Sequence, residues 1–201
     1  RAEPVIDTVF DFSDSQGILR ATEKCNGSGD CRKSVSAGGT MCPSYRGTKN
    51  EKDTTRARAN TLREFLTNSE KSNKYNHKEL KEVFDLCLSC KACASECPSN
   101  VDIAVLKSEF LYQYQKDNKP TFRDRLFAFN AKYNRIGSRF PHITNFILRQ
   151  PIAKKILGIS IHRTIPPLSN QTFKNWIQKN NSSIKSTKST IYLFCDEFTN
   201  Y

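Results

Sequence analysis

The sequence is poor in several residue types that would point to common functions. It contains only three His, one Trp and one Met, and it has no apolar run of the length that a membrane span requires. No stretch combines a basic start with the apolar segment of a secretory signal peptide. We therefore expect a cytoplasmic protein without a transmembrane segment and without an oxidising environment for its cysteines.

Acidic residues are scarce in the second half of the chain. The net charge is +12, and residues 101–201 contain 16 Lys and Arg but only 6 Asp and Glu. Such an excess suits nucleic acid, an anionic membrane surface or an acidic partner domain. Because no tight basic cluster and no zinc-finger or RRM-type signature accompanies it, we expect no nucleic-acid binding. A solvated face or a docking surface is the preferred interpretation.

The most informative residues present are the eight cysteines. Residues 87–98 have the sequence Cys-Leu-Ser-Cys-Lys-Ala-Cys-Ala-Ser-Glu-Cys-Pro, which is the C-x2-C-x2-C-x3-C-P run of cubane iron–sulfur proteins. Three thiolates at this spacing wrap around one cubane, and the fourth, followed by Pro, characteristically ligates a second cluster. The motif predicts electron transfer and requires a partner motif.

A related motif lies upstream. Residues 25–31 are Cys-Asn-Gly-Ser-Gly-Asp-Cys, and residues 41–43 are Met-Cys-Pro, so the Cys-Pro signature occurs twice. Alignment of the two motifs places Ser28 where the middle thiol would stand. The spacing before the second Cys-Pro pair is also longer than in the downstream motif. The chain therefore contains an imperfect internal repeat.

Crossing of ligands between the motifs predicts two sets of metal ligands. The first set completes a [4Fe–4S] site and consists of Cys42, Cys87, Cys90 and Cys93. The second set has three thiolates, Cys25, Cys31 and Cys97. It suits a [3Fe–4S] cluster, or a [4Fe–4S] cluster whose fourth iron takes a non-Cys ligand. A protein with a single cluster remains an alternative.

Structural zinc is the main alternative use of these cysteines. Structural zinc sites usually pair C-x2-C knuckles across a longer spacer, and three Cys in a C-x2-C-x2-C run fit a cubane better. The competing hypothesis is a zinc-stabilised interaction module whose basic second half docks a polyanion. Cys195 stands alone in an apolar run and is predicted to be a small core residue, not a ligand.

Apolar periodicity predicts an all-α fold of the helical ferredoxin type. Helices are expected over 54–68, over 77–88, from Asp102 onwards, from Thr121 and over 142–158. The expected segments are an extended arm (1–24), a ferredoxin domain (25–118), additional helices packing on it (119–164), a linker (165–189) and the start of a further domain with a short strand at 190–194 (190–201).

Two arginines lie shortly after the Cys42 loop. Arg56 and Arg58 are placed to stabilise a reduced, negatively charged cluster, and they are equally well explained as a solvated helix face. Both interpretations stay open at this point.

Four segments together resemble the iron–sulfur module of large FAD-linked D-2-hydroxyacid dehydrogenases, of the D-2-hydroxyglutarate or D-lactate dehydrogenase type. They are residues 25–32, 41–45, 54–59 and 87–98. The resemblance implies a position between an N-terminal FAD domain and a C-terminal cysteine-rich domain. It also implies a fragment that is not catalytic alone.

The same resemblance implies the path of the electrons. Reduced FAD in the preceding domain passes electrons singly to the first cluster, and a second cluster relays them to a quinone or another carrier. The implied location is the cytoplasm, including the inner face of the membrane. An iron–sulfur subunit of a glycerol-3-phosphate or heterodisulfide reductase-like complex is the alternative.

Overall fold

A computed structural model describes residues 6–180 and 192–201 of the chain. Within these ranges the regular structure consists of helices and includes no strand, which confirms the predicted all-α class. The chain divides into two compact units, Arg1–Lys119 and Pro120–Tyr201, which we call unit 1 and unit 2.

Unit 1 contains both cysteine motifs. Its α-helices are α1 (Ile18–Glu23), α2 (Pro43–Thr48), α3 (Thr55–Asn68), α4 (Lys78–Asp85), α5 (Ala92–Glu96) and α6 (Ile103–Asp117). Single turns of 3-10 helix occur at Ser13–Ser15, Asp30–Arg32, Val35–Ala37 and Glu51–Asp53. Most of the cysteines therefore lie in loops or at the ends of short helices.

The start of helix α3 follows from its capping residue. The Thr54 side chain accepts a hydrogen bond from the backbone N–H of Ala57, an interaction typically worth about 1 kcal/mol. The apolar face behind this cap carries Ala59, Leu62 and Leu66, all fully buried. The predicted helix over 54–68 is confirmed, and its buried face forms one wall of the core.

Helix α6 forms the opposite wall. The Asp102 carboxylate caps it by accepting hydrogen bonds from the N–H groups of Ala104 and Val105. The Phe110 ring is fully buried and stacks on the Phe84 ring of α4, with 5.1 Å between the ring centroids. Helices α3, α4 and α6 are thus joined by one apolar core, against which α1 also packs through α3.

The N-terminal segment differs from the predicted extended arm. Residues 18–23 form α1, which packs on α3 with Ile18 almost completely buried. Upstream, the buried Glu109 carboxylate accepts hydrogen bonds from the backbone N–H groups of Val9 and Phe10, each at 3.0 Å. A six-residue helix has too few turns for a periodic signal, and tertiary packing stabilises it.

Unit 2 is a series of short helices. They are α7 (Phe122–Ala128), α8 (Asn130–Gly137), α9 (Pro141–Arg149), α10 (Pro151–Ile156), α11 (Phe173–Asn180) and α12 (Glu197–Asn200). The predicted capping box at Thr121 is present, with Asp124 as its acidic member. The expectation of short helices over 142–158 is confirmed by α9 and α10.

Two expectations for unit 2 are corrected. Helix α11 lies within the segment predicted as a linker. On this helix the Phe173 and Trp176 rings, three residues apart among polar residues, stack on one another. The predicted strand at 190–194 falls partly outside the described residues. Its described part, residues 192–194, has no strand partner within residues 6–180 and 192–201 and adopts no regular structure.

Unit 2 buries little apolar surface within its described residues. Large apolar side chains on its helices stay exposed, such as Phe140 and Phe146, each 67% exposed, and Ile152 at 75%. No helix among the described residues is long and apolar enough to cross a bilayer. The two units therefore differ in how much their apolar faces contribute to stability.

A pair of Phe substitutions tests this difference. Phe110→Ala should lower the free energy of unfolding by about 3–5 kcal/mol, because it leaves a cavity in the core of unit 1. Phe146→Ala removes the same atoms from an exposed position and should change stability by less than about 0.5 kcal/mol. Urea unfolding followed by circular dichroism measures both, and equal effects would contradict the proposed location of the core.

Candidate metal centre

One pocket in unit 1 brings together four of the predicted ligands. Its cysteines are Cys42, Cys87, Cys90 and Cys93. Its other lining residues are Pro43, Ser44, Thr55, Arg58, Leu88, Ser89, Lys91, Ile103 and Ala104. Two cysteine motifs far apart in sequence therefore contribute to the same cavity.

The backbone around Cys90 turns sharply to reach this pocket. Ser89 and Lys91 have positive φ angles of 51° and 63°, and Cys42 has one of 54°. The left-handed region is uncommon for residues other than glycine and is often found at functional sites. Here the two turns flanking Cys90 allow three cysteines of one short segment to line the same cavity.

The four thiols differ in burial. Cys42 and Cys93 are buried, Cys87 is half-buried and Cys90 is exposed. Burial raises the pKa of Cys42, and it raises the pKa of Cys93 to about 11. Because metal ligation requires the thiolate, both sulfurs need a compensating positive charge at neutral pH.

Two helix N-termini direct donors at these buried sulfurs. The backbone N–H of Thr55, the first residue of α3, donates to Cys42 Sγ at 3.1 Å, and the Thr55 hydroxyl oxygen lies 2.9 Å from the same sulfur. The N–H of Ile103, the first residue of α6, donates to Cys93 Sγ at 3.3 Å. Helix N-termini favour negative charge, so this arrangement fits thiolates that ligate an iron–sulfur cluster.

Lys107 connects α6 to the loop that carries Cys87. Its ammonium group donates to the Cys87 carbonyl oxygen at 2.6 Å. Burial lowers the pKa of Lys107. The contact positions the first cysteine of the downstream motif against the core helix.

The second set of cysteines is arranged differently. Cys31 is buried in the apolar core, and Cys25 and Cys97 pack against it in half-buried positions. None of the three lines the pocket described above. Burial is the main cause of the raised pKa of Cys42, and the nearby Cys31 also contributes to it. Ser28 is exposed, and its N–H donates to the Asn26 side chain.

In neither set do the sulfur atoms lie close enough together to bind a single metal ion. Among the described residues, no three His, Cys, Asp or Glu side chains lie close enough to hold one metal ion. The first four thiols share the walls of one cavity, whereas the second three share only a region of the core.

Glu96 links the two motifs, and the sequence analysis did not single it out. Its carboxylate accepts hydrogen bonds from the Thr40 N–H at 2.8 Å, the Thr40 hydroxyl at 2.6 Å and the Met41 N–H at 3.0 Å. These bonds lower the pKa of Glu96. The residue beside Cys97 therefore holds the loop that leads into Cys42. Its only sequence signal was its place within the downstream motif.

Gly39 permits this contact. Its φ angle is +69°, and a Cβ atom at this position would lie 2.5 Å from the nearer Glu96 oxygen. A side chain would both strain the backbone and displace the carboxylate. The glycine is thus needed for the close approach of the two motifs.

The remaining candidates lie outside the pocket. Cys195 is half-buried next to α12, with its sulfur 3.9 Å from Asn200 Oδ1, so it is not the strand-core residue that was predicted. The His77 ring contacts the Phe65 ring, and its Nε2 lies 2.7 Å from the Ser69 hydroxyl. Neither side chain lines the four-cysteine pocket.

Comparison with known proteins matches this site to a family. Residues 24–102 match the family described as the 4Fe–4S dicluster domain. The chain is 30% identical to the D-2-hydroxyglutarate dehydrogenase of Escherichia coli strain K12 over 172 residues, which covers 68% of the chain and 17% of that protein. It is 29% identical to the enzyme of the same name from Pantoea ananatis, covering 77% of the chain and 18% of the relative.

A third relative agrees with these two. It is the D-2-hydroxyglutarate dehydrogenase of Haemophilus influenzae, which is 25% identical over 71% of the chain and 17% of its own length. The chain therefore spans less than a fifth of the length of the relatives it matches. No solved structure shows a significant match.

The contact between Glu96 and the Thr40 loop can be tested without any metal. We expect Glu96→Ala to speed amide hydrogen exchange several-fold at Thr40 and Met41, because both amides lose their acceptor. The matched control is Glu82→Ala, which removes an exposed carboxylate from α4 and should leave these two amides unchanged. Equal exchange rates in both variants would show that Glu96 does not hold the loop.

Proposed function

Because the chain contains an iron–sulfur module of the type found in D-2-hydroxyglutarate dehydrogenases, we propose that it is the electron-transfer section of a flavin-linked 2-hydroxyacid dehydrogenase. The observation that carries the proposal is the pocket in which cysteines of two distant motifs meet. The similarity of the chain to relatives that bear this enzyme name supports the choice of dehydrogenase.

The pocket is proposed to hold a [4Fe–4S] cluster on Cys42, Cys87, Cys90 and Cys93. Such a cluster, when bound, supplies a one-electron carrier whose potential depends on hydrogen bonds, charge and burial. The N–H groups of Thr55 and Ile103 stabilise the two buried thiolates. The exposed Cys90, beside Leu88 at 70% exposure, forms the edge of the pocket at which an electron enters or leaves.

A second cluster is proposed on Cys25, Cys31 and Cys97. The dicluster description of the matching family supports two clusters, and the common core that contains Cys31, Cys42 and Cys93 supports transfer between them. Because Ser28 replaces a thiol, the second site takes a [3Fe–4S] cluster or a [4Fe–4S] cluster with a non-Cys ligand. The number of irons decides between one cluster and two.

The partners follow from the length of the relatives. Electrons are proposed to come from an FAD domain that oxidises D-2-hydroxyglutarate or a related 2-hydroxyacid, and to leave toward a quinone or another carrier. A cysteine-rich domain is the second proposed neighbour in the parent polypeptide. The basic second half of the chain, with 16 Lys and Arg against 6 Asp and Glu, supports contact with an anionic surface, and the proposed location is the cytoplasm or the inner face of the membrane.

The proposal is tested by the metal content of anaerobically purified protein. We expect iron and acid-labile sulfide, about four of each for one cluster and about seven to eight irons with about eight sulfides for two, with an EPR signal that responds to dithionite. Cys90→Ser should lose the signal of the first cluster, whereas Cys195→Ser should keep it. Stoichiometric zinc without sulfide, also after anaerobic reconstitution, would instead favour the zinc-stabilised module.

The role of Thr55 gives a finer test. Thr55→Val removes the hydroxyl next to Cys42 Sγ and keeps the backbone N–H donor, so the cluster should still assemble. With one donor fewer, the more negative reduced state is less stabilised, and the reduction potential should fall. Thr61→Val on the same helix is the control. Equal potentials in an EPR-monitored titration would argue against a hydrogen bond from this hydroxyl to the ligand.

A further inference from the structure

Arg58 is a buried cation at the wall of the four-cysteine pocket. Its side chain is only 2% exposed, and it is among the residues that line the cavity. Arg56, two positions earlier, is 28% exposed, and both its Nε and its Nη2 atoms contact the Glu51 carboxylate, at 2.9 and 2.7 Å. The structure thus shows that Arg58 is buried and Arg56 is more exposed, a difference that the sequence does not reveal.

Neutral groups hold the Arg58 guanidinium in place. Its Nε donates to the Val83 carbonyl oxygen at 3.0 Å, and its Nη2 donates to the Ser44 hydroxyl at 3.0 Å. Ser44 also lines the pocket, and it follows Cys42 by two residues. These contacts fix the orientation of the guanidinium group, and because both partners are uncharged they do not neutralise its positive charge.

The only acidic side chain paired with Arg58 among the described residues is Asp53, and the pair is loose. The distance from Arg58 Nη2 to Asp53 Oδ1 is 3.8 Å, which is too long for a hydrogen bond. The other carboxylate oxygen accepts from the Thr48 hydroxyl at 2.6 Å, and Oδ1 accepts no hydrogen bond from the described residues. A fully buried cation normally has a close anionic partner. Arg58 therefore has one loose anionic partner, and it also borders the cavity in which a second anion would lie.

The position of Arg58 on α3 indicates where that partner lies. It follows Thr55 by three residues, so both side chains lie on the same face of the helix, at the end that contacts Cys42. Cys42 Sγ accepts a hydrogen bond from the Thr55 N–H at 3.1 Å, and Cys42, Thr55 and Arg58 all line the four-cysteine pocket. Of the other cations in this region, Lys91 lines the pocket but is exposed, and Lys107 is directed at a backbone carbonyl.

We propose that Arg58 is the counter-cation of the cluster held by Cys42, Cys87, Cys90 and Cys93, and that it raises the reduction potential of this cluster. The inference rests on the proposed function, since it requires a cluster in the pocket. Reduction by a one-electron donor, dithionite in the test and reduced flavin in the parent enzyme, adds one negative charge without a proton. A fixed positive charge in a poorly solvated site favours the reduced state.

The experiment is an anaerobic, EPR-monitored redox titration of the full chain. Arg58→Gln should lower the potential of the first cluster, and Arg58→Lys, which keeps the charge, should stay closer to the wild type. The matched control is Arg56→Gln, which removes the same charge from a half-buried position where Glu51 already pairs with it and solvent screens it. Asp53→Asn removes the opposing charge and should shift the potential upward.

The outcomes separate this inference from the proposed function. Wild-type protein without iron and sulfide overturns both. A loaded wild type whose Arg58→Gln and Arg56→Gln variants titrate alike overturns only the role of Arg58. If Arg58→Gln fails to assemble a cluster, the double variant Asp53→Asn/Arg58→Gln, which leaves no unpaired buried charge, is compared with Asp53→Asn. A lower potential in the double variant supports the counter-cation, and equal potentials, as a purely structural role predicts, overturn it.

Discussion

The structure of unit 1 depends on two helices that serve both its core and its sulfur ligands. The apolar faces of α3 and α6 are buried in the core, and the first N–H group of each helix donates to a buried thiol, Cys42 or Cys93. Because the same helices perform both tasks, folding of the core determines where the two sulfurs lie. Binding of metal would in turn stabilise the fold, since its ligands come from distant segments.

Charged side chains connect the parts that this core does not reach. Glu96 joins the loop before Cys42 to the downstream motif, and Glu109 holds the backbone at Val9 and Phe10. Arg58 and Asp53 are buried next to the pocket in a pair that is too long for a hydrogen bond. Glu96 and Glu109 act over long sequence separations, whereas Arg58 and Asp53 are five residues apart. Of these groups only Arg58 lines the pocket, whose exposed thiol is that of Cys90.

Helix prediction was accurate wherever a cap and a periodic apolar face occurred together. This applies to α3 with Thr54, α6 with Asp102 and α7 with Thr121. It failed for α1 and α11, which are short helices, and α1 is stabilised by its packing on the distant α3. Periodicity also does not reveal which surface covers an apolar face. The faces of α3 and α6 are buried, whereas Phe146 of α9 is exposed despite a comparable pattern.

The sequence by itself determined the helical class and the two cysteine motifs, because spacing along the chain is a local property. Only the tertiary structure decided that Cys42 shares a pocket with the downstream motif, that Glu96 holds the preceding loop, and that Arg58 is buried while Arg56 is not. Two arginines two positions apart in a helix point in different directions, and the packing around them determines which one faces the pocket. Such differences in environment arise from contacts between distant segments, and no local pattern encodes them.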